Sequence, residues 1–130
     1  MFIDAIRQFP KQLAFEPEIE NHTRLARADF FIVAGMGGSA LAADILKVWK
    51  PELELIVHRD YGLPPLSADT FKRSLIIASS YSGNTEETLD AFGSALAKGC
   101  NAAAISVGGQ LLQQAQQKGI PYIRIPNIHI

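Results

Sequence analysis

At 130 residues, 48% hydrophobic and 19% charged, the chain has the length of one globular domain and can bury a core without a disulfide or metal staple. Twelve basic residues against thirteen acidic ones leave a net charge of −1, which argues against a nucleic-acid surface. Cys100 is the single cysteine, so an internal disulfide is excluded and a reducing cytoplasm is the simplest setting. No apolar run approaches the roughly 20 residues of a transmembrane helix, and Met1-Phe2-Ile3-Asp4 lacks the basic start of a signal peptide.

Residues 1–28 read as a helical lead-in. Ile3, Ile6 and Phe9 recur at helical spacing until Pro10 stops the pattern. A second helix is expected from Glu16, with Pro17 in its first turn and Glu16, Glu18 and Glu20 at its positive end. Ile19 and Leu25 would then face the core. His22 reads as a solvated side chain, because no second metal-type residue stands four positions on.

Residues 29–130 read as a single domain of alternating strands and helices. Phe30 to Ala34 is a continuous apolar run, the mark of a strand buried on both faces. Gly35-Met36-Gly37-Gly38-Ser39 ends it, and Leu41, Ile45, Val48 and Trp49 mark one stripe of a helix that Pro51 stops. Leu53 to Val57 is the second strand, His58 to Pro65 a loop, and Ser74 to Ser79 the third strand. A hydroxyl-rich turn leads into a helix from about Asn84 to Lys98, with Leu89, Phe92 and Leu96 on one face and Gly99 as its stop. Asn101 to Val107 is the fourth strand. Leu111, Leu112 and Ala115 mark the next helix, Gly119 closes it, and Pro121 to Ile125 is the fifth strand. Cys100 reads as a small packing residue. This order predicts an α/β fold: a doubly wound, five-stranded parallel sheet with helices on both faces.

Such sheets bind ligands beyond the carboxyl ends of their strands, where strand order reverses, and two turns compete for that place. Gly35-x-Gly37-x-x-Ala40, with Asp60 further on, fits a loose dinucleotide fingerprint, a pattern of low specificity when it stands alone. The second turn places Ser80, Ser82, Thr85 and Thr88 around Gly83. Asn84 followed by Glu87 makes a capping box and needs no ligand. Ser80, Ser82 and Thr85 are left over. Beside the free N–H groups and positive dipole of a helix start, they suit a phosphate.

The pairing of Gly35-Met36-Gly37-Gly38-Ser39 with Ser80-Tyr81-Ser82-Gly83-Asn84-Thr85-Glu86-Glu87-Thr88 resembles the sugar isomerase (SIS) domain. Within it, the chain is most similar to the N-terminal half of bifunctional phosphoglucose/phosphomannose isomerases, over about residues 20–126. His58 to Pro64 and Ala104 to Gly109 sit where that family has similar segments. The resemblance implies a flavodoxin-like three-layer sandwich and a glucose, mannose or fructose 6-phosphate ligand. Ser80, Ser82 and Thr85 match the family's phosphate-contacting hydroxyls, and Gly38 and Ser39 match its sugar-side turn. It implies aldose–ketose interconversion through an enediol, without metal, nucleotide or other cofactor.

The chain also departs from that family. The family's catalytic glutamate, histidine and lysine come from a second SIS domain that has no counterpart here. Its arginine, expected soon after Ile125-Pro126, is absent, and Asn127-Ile128-His129-Ile130 reads as a truncation or a frame-altered tail. No catalytic residue is therefore assigned; capping and the helix dipole already account for Glu86 and Glu87. The expectation is a sugar-phosphate-binding half that does not isomerise alone. The alternatives are a non-catalytic sensor or interaction module and, behind it, a dinucleotide domain. A lone SIS domain is also expected to leave apolar helix surface, at Trp49 or the Leu111–Ala115 helix, that a homodimer would cover.

Overall fold

The computed structural model describes residues 3–4, 6–7 and 14–127. The five expected strands are present: β1 (Phe30–Ala34), β2 (Leu55–His58), β3 (Ser74–Ser79), β4 (Asn101–Ser106) and β5 (Tyr122–Arg124). They form one sheet in the order β2-β1-β3-β4-β5, with every pairing parallel. Four helices join them: α1 (Leu41–Trp49), α2 (Ala68–Lys72), α3 (Glu86–Ala97) and α4 (Gly109–Lys118).

Alternation along the strands divides the side chains between two faces. Phe30, Ile32, Ile76, Ala78, Ala102 and Ala104 point to one face, where they pack with Phe71 of α2, Phe92 and Ala95 of α3, and Leu111, Leu112 and Ala115 of α4. Phe31, Val33, Ile77, Ala103 and Ile105 point the other way and are only half-buried. The reason is topological. Parallel crossovers are right-handed, and the step from β1 to β2 runs opposite to the three later steps. It therefore sends α1 alone across the second face. Helices lie on both faces, unevenly.

The chain enters α1 through a 3-10 turn at Gly37–Ala40. A β-carbon on Gly35 would lie 2.9 Å from the Ser79 carbonyl oxygen and 3.6 Å from the Ala40 Cβ, so the chain leaves β1 pressed against the end of β3. Only small side chains fit beneath it, and Ala40 and Ala43 are the residues buried. Leu41, Ile45, Val48 and Trp49 face solvent, with Val48 84% and Trp49 71% exposed. By contrast Leu111, Leu112 and Ala115 are fully enclosed, so the expectation of a free apolar face on that helix is corrected.

The expected helix from Glu16 does not form. Residues 15–19 have no regular structure, and Glu20 makes an antiparallel bridge with Tyr122, its N–H and C=O both paired with that residue at 2.9 and 3.2 Å. The open edge of β5 offers unpaired backbone groups, and this segment uses them. A left-handed Asn21 (φ 57) then turns the chain into a short 3-10 turn, His22–Arg24. Ile19 and Leu25 lie over Leu75, Ile77, Ile105 and Ile123 on the half-covered face, although each stays partly exposed. His22 is exposed, as expected. Of the first expected helix, Ile3, Asp4, Ile6 and Arg7 are helical; Phe9 and Pro10 lie outside the described residues.

Helix α2 has no counterpart in the sequence reading, because five residues are too few to show a period. Its local signal is Ser67, whose hydroxyl accepts the Thr70 N–H at 3.1 Å as an N-cap. Gly99 (φ 71) and Gly119 (φ 66) stop α3 and α4 in the left-handed conformation that glycine favours.

Candidate anion-binding site

Strand order reverses between β1 and β3, so the turns leaving these two strands emerge side by side at the carboxyl edge of the sheet. They are stitched together by serines. The Ser79 hydroxyl donates to the Ser39 carbonyl at 2.9 Å, and the Tyr81 N–H donates to Ser39 Oγ at 3.2 Å. Gly38 lies next to Ser39, exposed, with open space where a side chain would stand.

Ser80 is 2% exposed. Its Oγ accepts the Gly83 N–H at 3.0 Å and is hydrogen-bonded to Thr85 Oγ1 at 2.8 Å. Ser82 is exposed, and its Oγ accepts the Asn84 N–H at 3.1 Å. Thr85 is the N-cap of α3 in an extended conformation, yet its side chain makes no cap hydrogen bond. Its first-turn amides therefore open beside the three hydroxyls, at the positive end of a 12-residue helix. The turn and the helix start that were expected to work together are brought together, and Gly38 and Ser39 stand beside them.

The capping box is corrected. Asn84 does not cap α3; its Oδ1 accepts the Gln110 N–H of α4 at 3.0 Å. The β4–α4 turn lies close enough to claim that side chain. The same contact explains Gly83 (φ 76), where a β-carbon would overlap the Gly108 carbonyl and lie 2.8 Å from Ser106 Oγ. Thr88, one turn beyond Thr85 on the same side of α3, is 1% exposed, and its Oγ1 has no hydrogen-bond partner.

The sequence marks the loop after β2, His58 to Pro65, but assigns it no site residue. His58 Nε2 donates to the Tyr61 carbonyl at 3.0 Å, Asp60 Oδ1 accepts the Tyr61 N–H at 2.7 Å, and Gly62 N–H donates to Asp90 Oδ2 of α3 at 2.7 Å. The loop is thus folded onto α3 beside the candidate site. Partial burial, then the neighbouring Glu86 and Glu87 carboxylates, raise the Tyr61 pKa above its usual 10.0. The resemblance over His58 to Pro64 points to this loop, but nothing in it singles out Tyr61. At the far side, Arg124 donates to the Val107 carbonyl at 3.2 Å.

Other chemistry finds little support among the described residues. No group of three or more His, Cys, Asp or Glu side chains forms a metal site. Burial pushes the Cys100 thiol up, against the opposing Lys98 charge, which disfavours a thiolate nucleophile. No described helix is long and apolar enough to cross a membrane.

The sheet order, the serine-stitched turns and the hydroxyl-rich start of α3 match what the resemblance to a sugar isomerase (SIS) domain implies, and the chain shares the fold of solved SIS domains. Its sequence relatives include bifunctional phosphoglucose/phosphomannose isomerases and, at 32% identity over 93 residues, the D-glucosamine-6-phosphate 4-epimerase of Sulfolobus acidocaldarius, covering 71% of this chain and 29% of that one. It is 39% identical over 131 residues to the bifunctional isomerase of Caldicellulosiruptor bescii, covering 95% of this chain and 38% of the relative. Against the Pyrobaculum aerophilum enzyme the identity is 34% over 122 residues, covering 91% and 36%. The chain thus spans just over a third of the length of these relatives. No protein-family model matches it.

Solved structures agree on the fold. The Vibrio vulnificus NanR protein complexed with ManNAc-6P superposes with a TM-score of 0.56 at 20% identity, over 81% of this chain and 41% of that one. The sugar isomerase domain of an RpiR transcription factor from Sphaerobacter thermophilus gives 0.52 at 24% identity, over 81% and 63%.

Proposed function

We propose that this chain binds a hexose 6-phosphate, with the phosphate at the start of α3 against Ser80, Ser82 and Thr85 and the sugar against Gly38 and Ser39. One observation carries the reading: α3 begins without a side-chain cap beneath a cluster of hydroxyls. Free amides at the positive end of a helix hold anions, and hydroxyl groups complete the shell of donors around phosphate oxygens. The names of the sequence relatives, and of a fold relative solved with ManNAc-6P, support a phosphosugar. That setting and the single thiol also support a cytoplasmic location.

Calorimetry with fructose 6-phosphate tests the reading. A hydrogen bond to a charged group contributes roughly 1.5–3 kcal/mol, so Ser82→Ala and Thr85→Ala each weaken binding by about ten- to a hundredfold. Unchanged affinity in both variants removes the assignment. Thermal stabilisation by NAD(H) but not by the sugar phosphate replaces it with a dinucleotide domain.

Longer relatives are named phosphoglucose/phosphomannose isomerases, and we propose that this portion contributes phosphate binding rather than the base. Glu86 is exposed and Glu87 half-exposed, and their place in the first turn of α3 is accounted for by the helix dipole. A coupled assay with the pure chain separates the possibilities: turnover assigns catalysis to it, whereas binding without turnover fits a binding half or a sensor. We further propose that the exposed Leu41, Ile45, Val48 and Trp49 stripe pairs two copies of the chain. A monomeric mass by light scattering at high concentration excludes this.

A further inference from the structure

Hydrogen bonds join the turn after β3 to the turn after β4. The Tyr81 carbonyl accepts the Val107 N–H at 3.1 Å, and the Gly83 carbonyl accepts the Leu111 N–H at 2.9 Å. The Ser106 hydroxyl lies 3.0 Å from the Gly108 carbonyl and 3.3 Å from that of Tyr81. A side chain on Gly109 (φ 69) would meet Asn84 Oδ1 at 2.8 Å, so the approach of the two turns depends on glycine there. Asn84 adds a side-chain bond to this seam, from its Oδ1 to the Gln110 N–H.

That bond ties the turn before α3 to the start of α4. Thr85 holds the N-cap position of α3, so Asn84 stands one residue before it and spends its Oδ1 on one of the free donors of α4. The same bond holds the backbone on which Ser82 and Thr85 stand, because the Asn84 N–H is itself bonded to Ser82 Oγ.

We propose that Asn84 is a positioning residue for the anion site: by bonding to the start of α4, it holds the Ser82–Thr85 turn in place for the ligand. The inference rests on reading that turn as a phosphate site. Asn84 is exposed, so Asn84→Ala retains the fold. Its affinity for fructose 6-phosphate, measured by calorimetry well below the unfolding transition, falls about tenfold, as expected for the loss of one bond of this strength. A residue that only stabilised α4 would lower the melting temperature and leave this affinity unchanged.

Gln110→Pro removes the same bond from the far side, at a first-turn position where proline is tolerated. It produces a similar loss of affinity, and the double variant is no weaker than either single one. Wild-type affinity in a folded Asn84→Ala overturns the inference, as do additive losses in the double variant. If Ser82→Ala and Thr85→Ala also leave binding intact, the phosphate reading itself fails. If those two weaken binding and Asn84→Ala does not, only the positioning role is lost.

Discussion

Gly83 and Gly108 meet so closely that no side chain can stand between them: a β-carbon on Gly83 would overlap the Gly108 carbonyl. Gly83 also has φ 76, a backbone conformation L side chains rarely adopt. Gly83→Ala therefore costs about 2–4 kcal/mol, as large values do when strain and overlap combine. Urea unfolding checks this. Where the variant still folds, fructose 6-phosphate binding is expected to be lost, because the turn has to open.

Thr88 offers the opposite case. Its buried hydroxyl has no partner, and valine has nearly the same shape and helix propensity. Thr88→Val is expected to be neutral or to stabilise the fold by about 1 kcal/mol, read as a rise of roughly 3–6 °C in melting temperature. A loss of stability would mean that the hydroxyl has a partner in solution.

Ser67→Ala removes the cap of α2, whose Phe71 is buried against β1 and β3. The expected cost is about 1 kcal/mol by denaturant unfolding. Ser67→Asp retains an acceptor at the cap and is expected to recover most of it.

Tyr61 gives a pH-dependent signature. Its pKa is raised, so folding favours the protonated phenol. The stability this contributes is complete below the ordinary value of 10.0 and is lost as pH rises through the raised value. Absorbance titration is expected to show one tyrosine ionising late, a feature that Tyr61→Phe removes. Glu86→Gln with Glu87→Gln moves it part of the way back, since burial remains.

Much of the domain is legible in the sequence. Apolar runs marked all five strands within about two residues, and Gly99 and Gly119 marked two helix ends. The second turn stood out because Ser80, Ser82 and Thr85 exceeded what capping required. What was illegible depends on partners distant in the chain. Asn84 has a local explanation as a cap of α3, and only the approach of Gln110, 26 residues on, displaces it. The acids and proline near Glu16 describe a helix start, yet the free edge of β5 pairs Glu20 with Tyr122.

The α1 stripe shows the same division. Read alone, the sequence determines that Leu41, Ile45, Val48 and Trp49 share one side of a helix, because 3.6-residue periodicity is a property of the chain. It cannot determine which side faces inward. Tertiary structure decides that, through the close approach of Gly35 to Ser79, which admits Ala40 and Ala43 beneath the helix and turns the larger side chains outward. In the same way the sequence placed hydroxyls at a helix start, and the approach of the neighbouring turn decided that Asn84 would bond to α4.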